Sequence, residues 1–89
     1  MRLKLAIPEK EILDEEIIAV TLPGIEGQMT ILPGHAMLVS ELAQGELHYK
    51  KLDKEGKEQK EFYKIGPGFV EIQKDNVLVL VSIINRPNQ

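Results

Sequence analysis

The chain predicts an all-β fold, a flattened sandwich or barrel of short strands. Three observations carry that prediction. Apolar residues alternate with polar ones in short runs. Glycine and proline turn signals recur about every ten residues. No long segment keeps a helical period. Eighty-nine residues make one domain, and 43% apolar with 28% charged residues is an ordinary globular composition. Residues 1–84 are read as the domain and 85–89 as a short polar tail.

Leu3, Leu5 and Ile7 alternate with Arg2, Lys4 and Ala6, the period of a half-buried strand. Pro8 ends it, because proline cannot donate to a ladder. Glu9, Lys10 and Glu11 connect. Ile12 and Leu13 reopen the apolar pattern, which Asp14-Glu15-Glu16 interrupts. Ile12, Glu16 and Ala19 share helical spacing. The β-branched stretch 17–22, alternating at Ile18, Val20 and Leu22, favours a strand instead.

Leu22-Pro23-Gly24 then predicts a type II turn, with Gly27 a second flexible point. A short strand over 28–32 leads to a second turn at Leu32-Pro33-Gly34. These two segments read as opposite ends of one sandwich. Met37-Leu38-Val39 is a short apolar segment. Gly45 opens a strand with Leu47 and Tyr49 on one face. The charge-dense run 50–61, with Gly56 in its middle, predicts two strands joined by an exposed turn, their mixed charges guarding against edge pairing. Phe62-Tyr63-Lys64-Ile65 resumes the apolar pattern and Gly66-Pro67-Gly68 breaks it. A strand over 69–73 and a tight turn at Asp75-Asn76 follow. Val77-Leu78-Val79-Leu80-Val81 is apolar on both faces and predicts the most buried strand.

Eleven basic and fourteen acidic side chains leave a net charge of −3. That disfavours a nucleic-acid binder, which needs a basic stripe. Tyr49, Phe62, Tyr63 and Phe69 are the aromatic residues, too few for a base-stacking platform. Without cysteine, disulfides and thiolate metal sites are excluded. The first residues hold neither a long apolar core nor a small-residue cleavage site, and no apolar run reaches the ~20 residues of a membrane span. His35 and His48 have no acidic or histidine ligand at metal spacing in their own segments, and Ser40 and Ser82 have no catalytic motif around them. Gly66-Pro67-Gly68 lacks the lysine and helix of a phosphate loop. No catalytic, cofactor or metal site is expected.

Two resemblances bear on function. Asp53-Lys54 at a hairpin tip is similar to lipoyl carrier domains, which present one lysine there. Their two halves match about that lysine; here they differ, and the tip carries further lysines, so this is the weaker alternative. The stronger one runs over nearly the whole chain. Leu3-Lys4-Leu5 with Ile7-Pro8-Glu9, Val20-Thr21-Leu22-Pro23-Gly24 with Glu26-Gly27, and Ile31-Leu32-Pro33-Gly34-His35-Ala36 follow in register. Gly45-Glu46-Leu47, Gly68-Phe69-Val70-Glu71-Ile72 and Asn76-Val77-Leu78-Val79-Leu80 continue the order. Together they resemble the epsilon subunit of F-type ATP synthases, called delta in mitochondria.

The resemblance implies a sandwich of about ten strands in a non-catalytic rotor subunit. That subunit would bind gamma and the polar loops of the membrane c-ring, and help couple proton or sodium-ion flow to ATP synthesis. It would be peripheral at the cytoplasmic face of the bacterial cell membrane, held there only through the complex. Carried over by position, Glu26, Gln28 and His35 become c-ring-side candidates, and Ile7, His35 and Ser40 gamma-side candidates. Pro23, Gly24, Gly27, Pro33, Gly34 and Gly68 become structural turn positions. The chain departs from the family in Gln28, where an acid is common, in Met37, where proline commonly follows the alanine, and in Pro67, which replaces one of a glycine pair. Many members continue into a helical hairpin that can inhibit hydrolysis and in some cases bind ATP. Only a few residues follow Ile84, and Pro87 cannot continue a helix interior. The expectation is no C-terminal helical hairpin, no inhibitory arm and no ATP site.

Overall fold

Ten strands account for the regular structure of the described residues, and no helix occurs among them. They are β1 (Arg2–Ile7), β2 (Lys10–Glu16), β3 (Ala19–Gly24), β4 (Gly27–Ile31), β5 (Leu38–Leu42), β6 (Gly45–Leu52), β7 (Glu58–Ile65), β8 (Gly68–Gln73), β9 (Asn76–Val81) and β10 (Ile84–Asn85). The structure, a computed structural model, describes residues 1–34 and 36–86. His35, Pro87, Asn88 and Gln89 lie outside the described residues, so His35 receives no placement.

The strands form one curled sheet in the order β10-β7-β6-β3-β5-β8-β9-β1-β2, with β4 paired to β3. β1 and β9 run parallel, and the other pairs are antiparallel. β3 is the pivot. Its first half pairs with β6 through Ala19–Thr21, while its end reaches β5 at Gly24↔Leu42. The sheet turns over there and closes on one core. The all-β sandwich or barrel expected from the sequence is the fold observed.

Period-two burial explains the core. Leu3 and Leu5 of β1, Val20 and Leu22 of β3, and Leu47 and Tyr49 of β6 point inward and are buried. Val70 and Ile72 of β8 join Val77, Val79 and Val81 of β9 in the same cluster. Each such side chain contributes on the order of 1.5–3 kcal/mol of burial, against an ordering cost of similar scale per residue. Gly68 permits the closest backbone approach. A Cβ there would lie 2.1 Å from the Leu80 carbonyl oxygen.

The structure corrects four local expectations. Pro23 and Gly24 belong to β3, and the first turn is the two-residue loop Ile25-Glu26 closed by Gly24↔Gly27. The positive φ falls on Gly27 (φ 131), not Gly24. The acidic run Asp14-Glu15-Glu16 lies inside β2, because an outermost strand can turn carboxylates to solvent and to β1. The turn before β9 is Lys74-Asp75, with Lys74 at φ 52 and Asn76 already paired to Gln73. Finally, β9 is half-buried rather than buried on both faces. Its valines point inward, while Leu78 and Leu80 are 41% and 45% exposed.

The remaining turns follow the sequence. Gly34 (φ 83) supports the Pro33-Gly34 turn, and Gly56 (φ 81) supports the loop between β6 and β7. There the Asp53 carboxylate accepts hydrogen bonds from the Glu55 and Lys57 amides. β10 includes Asn85, so pairing extends into the stretch read as a tail.

Candidate functional site

The hairpin joining β3 and β4 is fixed by its local chemistry. A Cβ on Gly24 would stand 2.7 Å from the Gly27 carbonyl oxygen, so the strands approach closely only because Gly24 has none. Pro23 leaves its carbonyl to accept from the Ala43 amide, and the Ile25 amide donates to the Glu41 carbonyl. These two bonds tie the hairpin to β5. Between them opens a groove of about 420 Å³, lined by Ile25, Glu26, Gln28, Met29, Ser40 and Glu41 among others.

Three sequence-derived candidates therefore meet in one groove. Glu26 is exposed on the turn, Gln28 is exposed on β4, and Ser40 is half-buried on β5. Ile7 does not line it. Register carries Ile7 to the same end of the sheet, since Ala6 pairs Leu80 while Gly68 pairs both Val81 and Leu42. The Pro33-Gly34 turn leaves β4 at the opposite end, where Ile31 pairs Val20.

The groove mixes carboxylate, amide and hydroxyl groups with exposed Ile25 and part-buried Met29. Among the described residues lining it, no nucleophile stands beside a base and an orienting acid. Among the described residues no three histidine, cysteine or acidic side chains converge as metal ligands. No helix among them is long and apolar enough to cross a membrane. A larger open cleft of about 580 Å³ lies at the same end, beside β10, lined by Gln44, Glu46, Lys64, Pro67 and Ile83 among others. Lys54 sits in the exposed turn after β6.

One constellation was not read from the sequence. Tyr49, buried on β6, donates from its hydroxyl to Glu15 Oε2 at 2.5 Å, and Lys51 Nζ donates to Glu15 Oε1 at 2.8 Å. Glu15 shares the core-facing phase of β2 with Leu13, opposite Leu3. That phase was the available signal. Burial opposes ionisation of Glu15, but the hydrogen bonds from Lys51 and Tyr49, with the charges of Lys51 and Arg86, hold its carboxyl below the usual range. Burial and then the Glu15 bond push the Tyr49 phenol upward. Tyr63 stacks on Tyr49 at 6.2 Å, Arg86 covers Tyr63 at 5.4 Å, and Arg86 also pairs with Glu61. His48 faces outward beside Phe62, its Nδ1 buried and 3.7 Å from Glu46 Oε1.

Residues 1–87 match the family profile described as "ATP synthase, Delta/Epsilon chain, beta-sandwich domain". The chain belongs to this delta/epsilon family. Similar relatives are the ATP synthase epsilon chain of Bdellovibrio bacteriovorus, 34% identical over 90 residues, and that of Dehalococcoides mccartyi, 37% identical over 89. Both alignments cover 100% of this chain, but only 62% and 60% of those relatives. The chain thus spans about 60% of the length of the epsilon chains it matches. Among solved structures, a chain of the Euglena gracilis mitochondrial ATP synthase, determined as OSCP/F1/c-ring, superposes with a TM-score of 0.85 at 29% identity. That superposition covers 98% of this chain and 53% of the other. The Tetrahymena thermophila mitochondrial ATP synthase central stalk/c-ring structure gives 0.79 at 17% identity, covering 99% and 67%, and supports the fold alone. The delta/epsilon assignment displaces the lipoyl-carrier alternative for Lys54.

Proposed function

We propose that this epsilon-type domain is a non-catalytic rotor subunit of an F-type ATP synthase. It bridges the gamma subunit and the polar loops of the c-ring, and helps couple proton or sodium-ion movement to ATP synthesis. Its place is the cytoplasmic face of a bacterial membrane, reached through the complex. The observation that carries the reading is the superposition of 98% of the chain on a chain of a structure containing F1 and a c-ring. The groove geometry agrees with it. Glu26 and Gln28 project from the hairpin as the c-ring side, with Ser40 and Ile7 offered to gamma and His35 assigned to both sides. Gln28 contributes an amide rather than a carboxylate, so the c-ring contact relies on hydrogen bonding there and on the Glu26 charge.

The test is capture of purified gamma and of purified c-ring by the tagged full chain. Binding of both in the micromolar range or tighter is expected. No binding of either at tens of micromolar would end the proposal.

A further inference from the structure

We infer that a side-chain latch, running from Arg86 through Tyr63 and Tyr49 to Glu15, closes the curled sheet so that its two terminal strands, β10 and β2, open as one unit. Backbone pairing gives no reason for such coupling. β10 and β2 stand at opposite ends of the strand order. Among the described residues β10 pairs with β7 alone, and β2 with β1 alone. On that pattern β2 would loosen with β1, and β10 with β7.

The side chains connect what the ladders do not. The chain leaving β2 enters β3, and on the way the Ile18 amide donates to the Lys50 carbonyl of β6 at 2.8 Å. Glu15, three residues before Ile18, therefore reaches Tyr49 and Lys51 on β6. From the other end, Asn85 of β10 pairs with Lys64 of β7, and Arg86 follows it. The Arg86 guanidinium lies over the Tyr63 ring and donates from Nη2 to Glu61 Oε1 at 2.6 Å. Tyr63 stacks on Tyr49 with the ring planes 13° apart. One unbroken path of contacts thus runs from β10 across β7 and β6 to β2. Leu13 of β2 and Ile84 of β10 pack against the same buried cluster, so apolar contact backs both ends of it.

The path also carries charge. Burial opposes ionisation of Glu15, and the charge of Arg86 joins Lys51 and Tyr49 in favouring it. The Arg86 side chain is 47% exposed, so its ion pair with Glu61 is weak by itself. The ring adds to it, because a guanidinium over an aromatic face is attracted even in solvent. β10 has two residues and few ladder bonds, so a modest attraction decides how often it opens. Opening at Arg86 uncovers Tyr63, and the stacked Tyr49 passes that loss to the Glu15 hydrogen bond.

Native-state hydrogen exchange on the full chain tests the latch. Three reporters are followed: the Gly66 amide, which donates to the Ile83 carbonyl; the Ile17 amide, which donates to the Met1 carbonyl; and the β8–β9 ladder as reference. Thermal melting confirms that each variant folds. Arg86→Gln should speed exchange at Gly66 and Ile17 by the same factor, about two- to fivefold, and leave the β8–β9 ladder unchanged. Tyr49→Phe cuts the path before Glu15, so adding Arg86→Gln to that variant should speed Gly66 alone. Failure of Ile17 to respond to Arg86→Gln in the otherwise wild-type chain, whether or not Gly66 does, overturns the latch. Equal acceleration of all three reporters marks global unfolding and overturns it too. An equal Ile17 response with and without Tyr49→Phe overturns the route through Tyr49.

Discussion

Tyr49→Phe isolates one hydrogen bond in the core. The ring stays, along with its stack on Tyr63, and only the hydroxyl bonded to Glu15 is lost. A hydrogen bond to a charged group contributes about 1.5–3 kcal/mol. The lower end applies here, because the Glu15 side chain is 29% exposed and keeps Lys51 at 2.8 Å. An expected loss of about 1.5–2 kcal/mol at pH 7 lowers the melting temperature of a domain this size by about 6–16 °C.

The pH dependence gives the sharper readout. Glu15 titrates below its unfolded value in the folded chain, so its contribution is present at neutral pH. As pH falls below about 4.5 and passes through the folded value, that contribution disappears. The gap between wild type and Tyr49→Phe, measured by urea unfolding at pH 7 and pH 3, should therefore narrow to about 1 kcal/mol or less. A double-mutant cycle with Glu15→Gln should return a coupling of about 0.5–2 kcal/mol at pH 7. Equal stability of Tyr49→Phe and wild type at pH 7, or a gap that widens in acid, would refute the reasoning.

Gly68→Ala should cost about 3 kcal/mol or more, read as a lower urea midpoint, because the new Cβ meets the Leu80 carbonyl at 2.1 Å and backbone must move. Glu26→Ala should leave the melting curve unchanged and weaken c-ring capture by about 1–2 kcal/mol, read by equilibrium pull-down. His35→Ala should keep the fold nearly intact and weaken rotor assembly; a lost fold, or normal assembly of the folded variant, would return His35 to a purely structural role.

Alternation made most of this fold legible. The inward phases of β1 and β6 could be read directly, because each stretch alternates apolar with polar residues. The misreadings have physical causes. Pro23-Gly24 has the composition of a type II turn, but Gly24 is required for lack of a Cβ rather than for positive φ. The turn then falls on Ile25-Glu26, which carry no turn signature of their own. Asp14-Glu15-Glu16 looked like an interruption because composition does not reveal that β2 is an edge strand whose acids have partners. Glu16 accepts the Met1 amine and Asp14 accepts Arg2, both across the β1–β2 ladder.

β9 shows where sequence periodicity ran out. Five apolar residues in a row fit a strand covered on both faces. The register places Leu78 and Leu80 beside Phe69 and Val39 instead, with Glu41 and Glu71 among them. A strand can carry a double apolar code and still be half-exposed, because the code does not say whether a second layer packs over it. The hairpin candidates Glu26, Gln28 and Ser40 were reached through family resemblance, since each alone is an ordinary polar residue. The β9 face needed no resemblance, but it needed the strand order. Local pattern says which residues share a face, and only the β5-β8-β9-β1 pairing says that those faces merge into one contiguous surface.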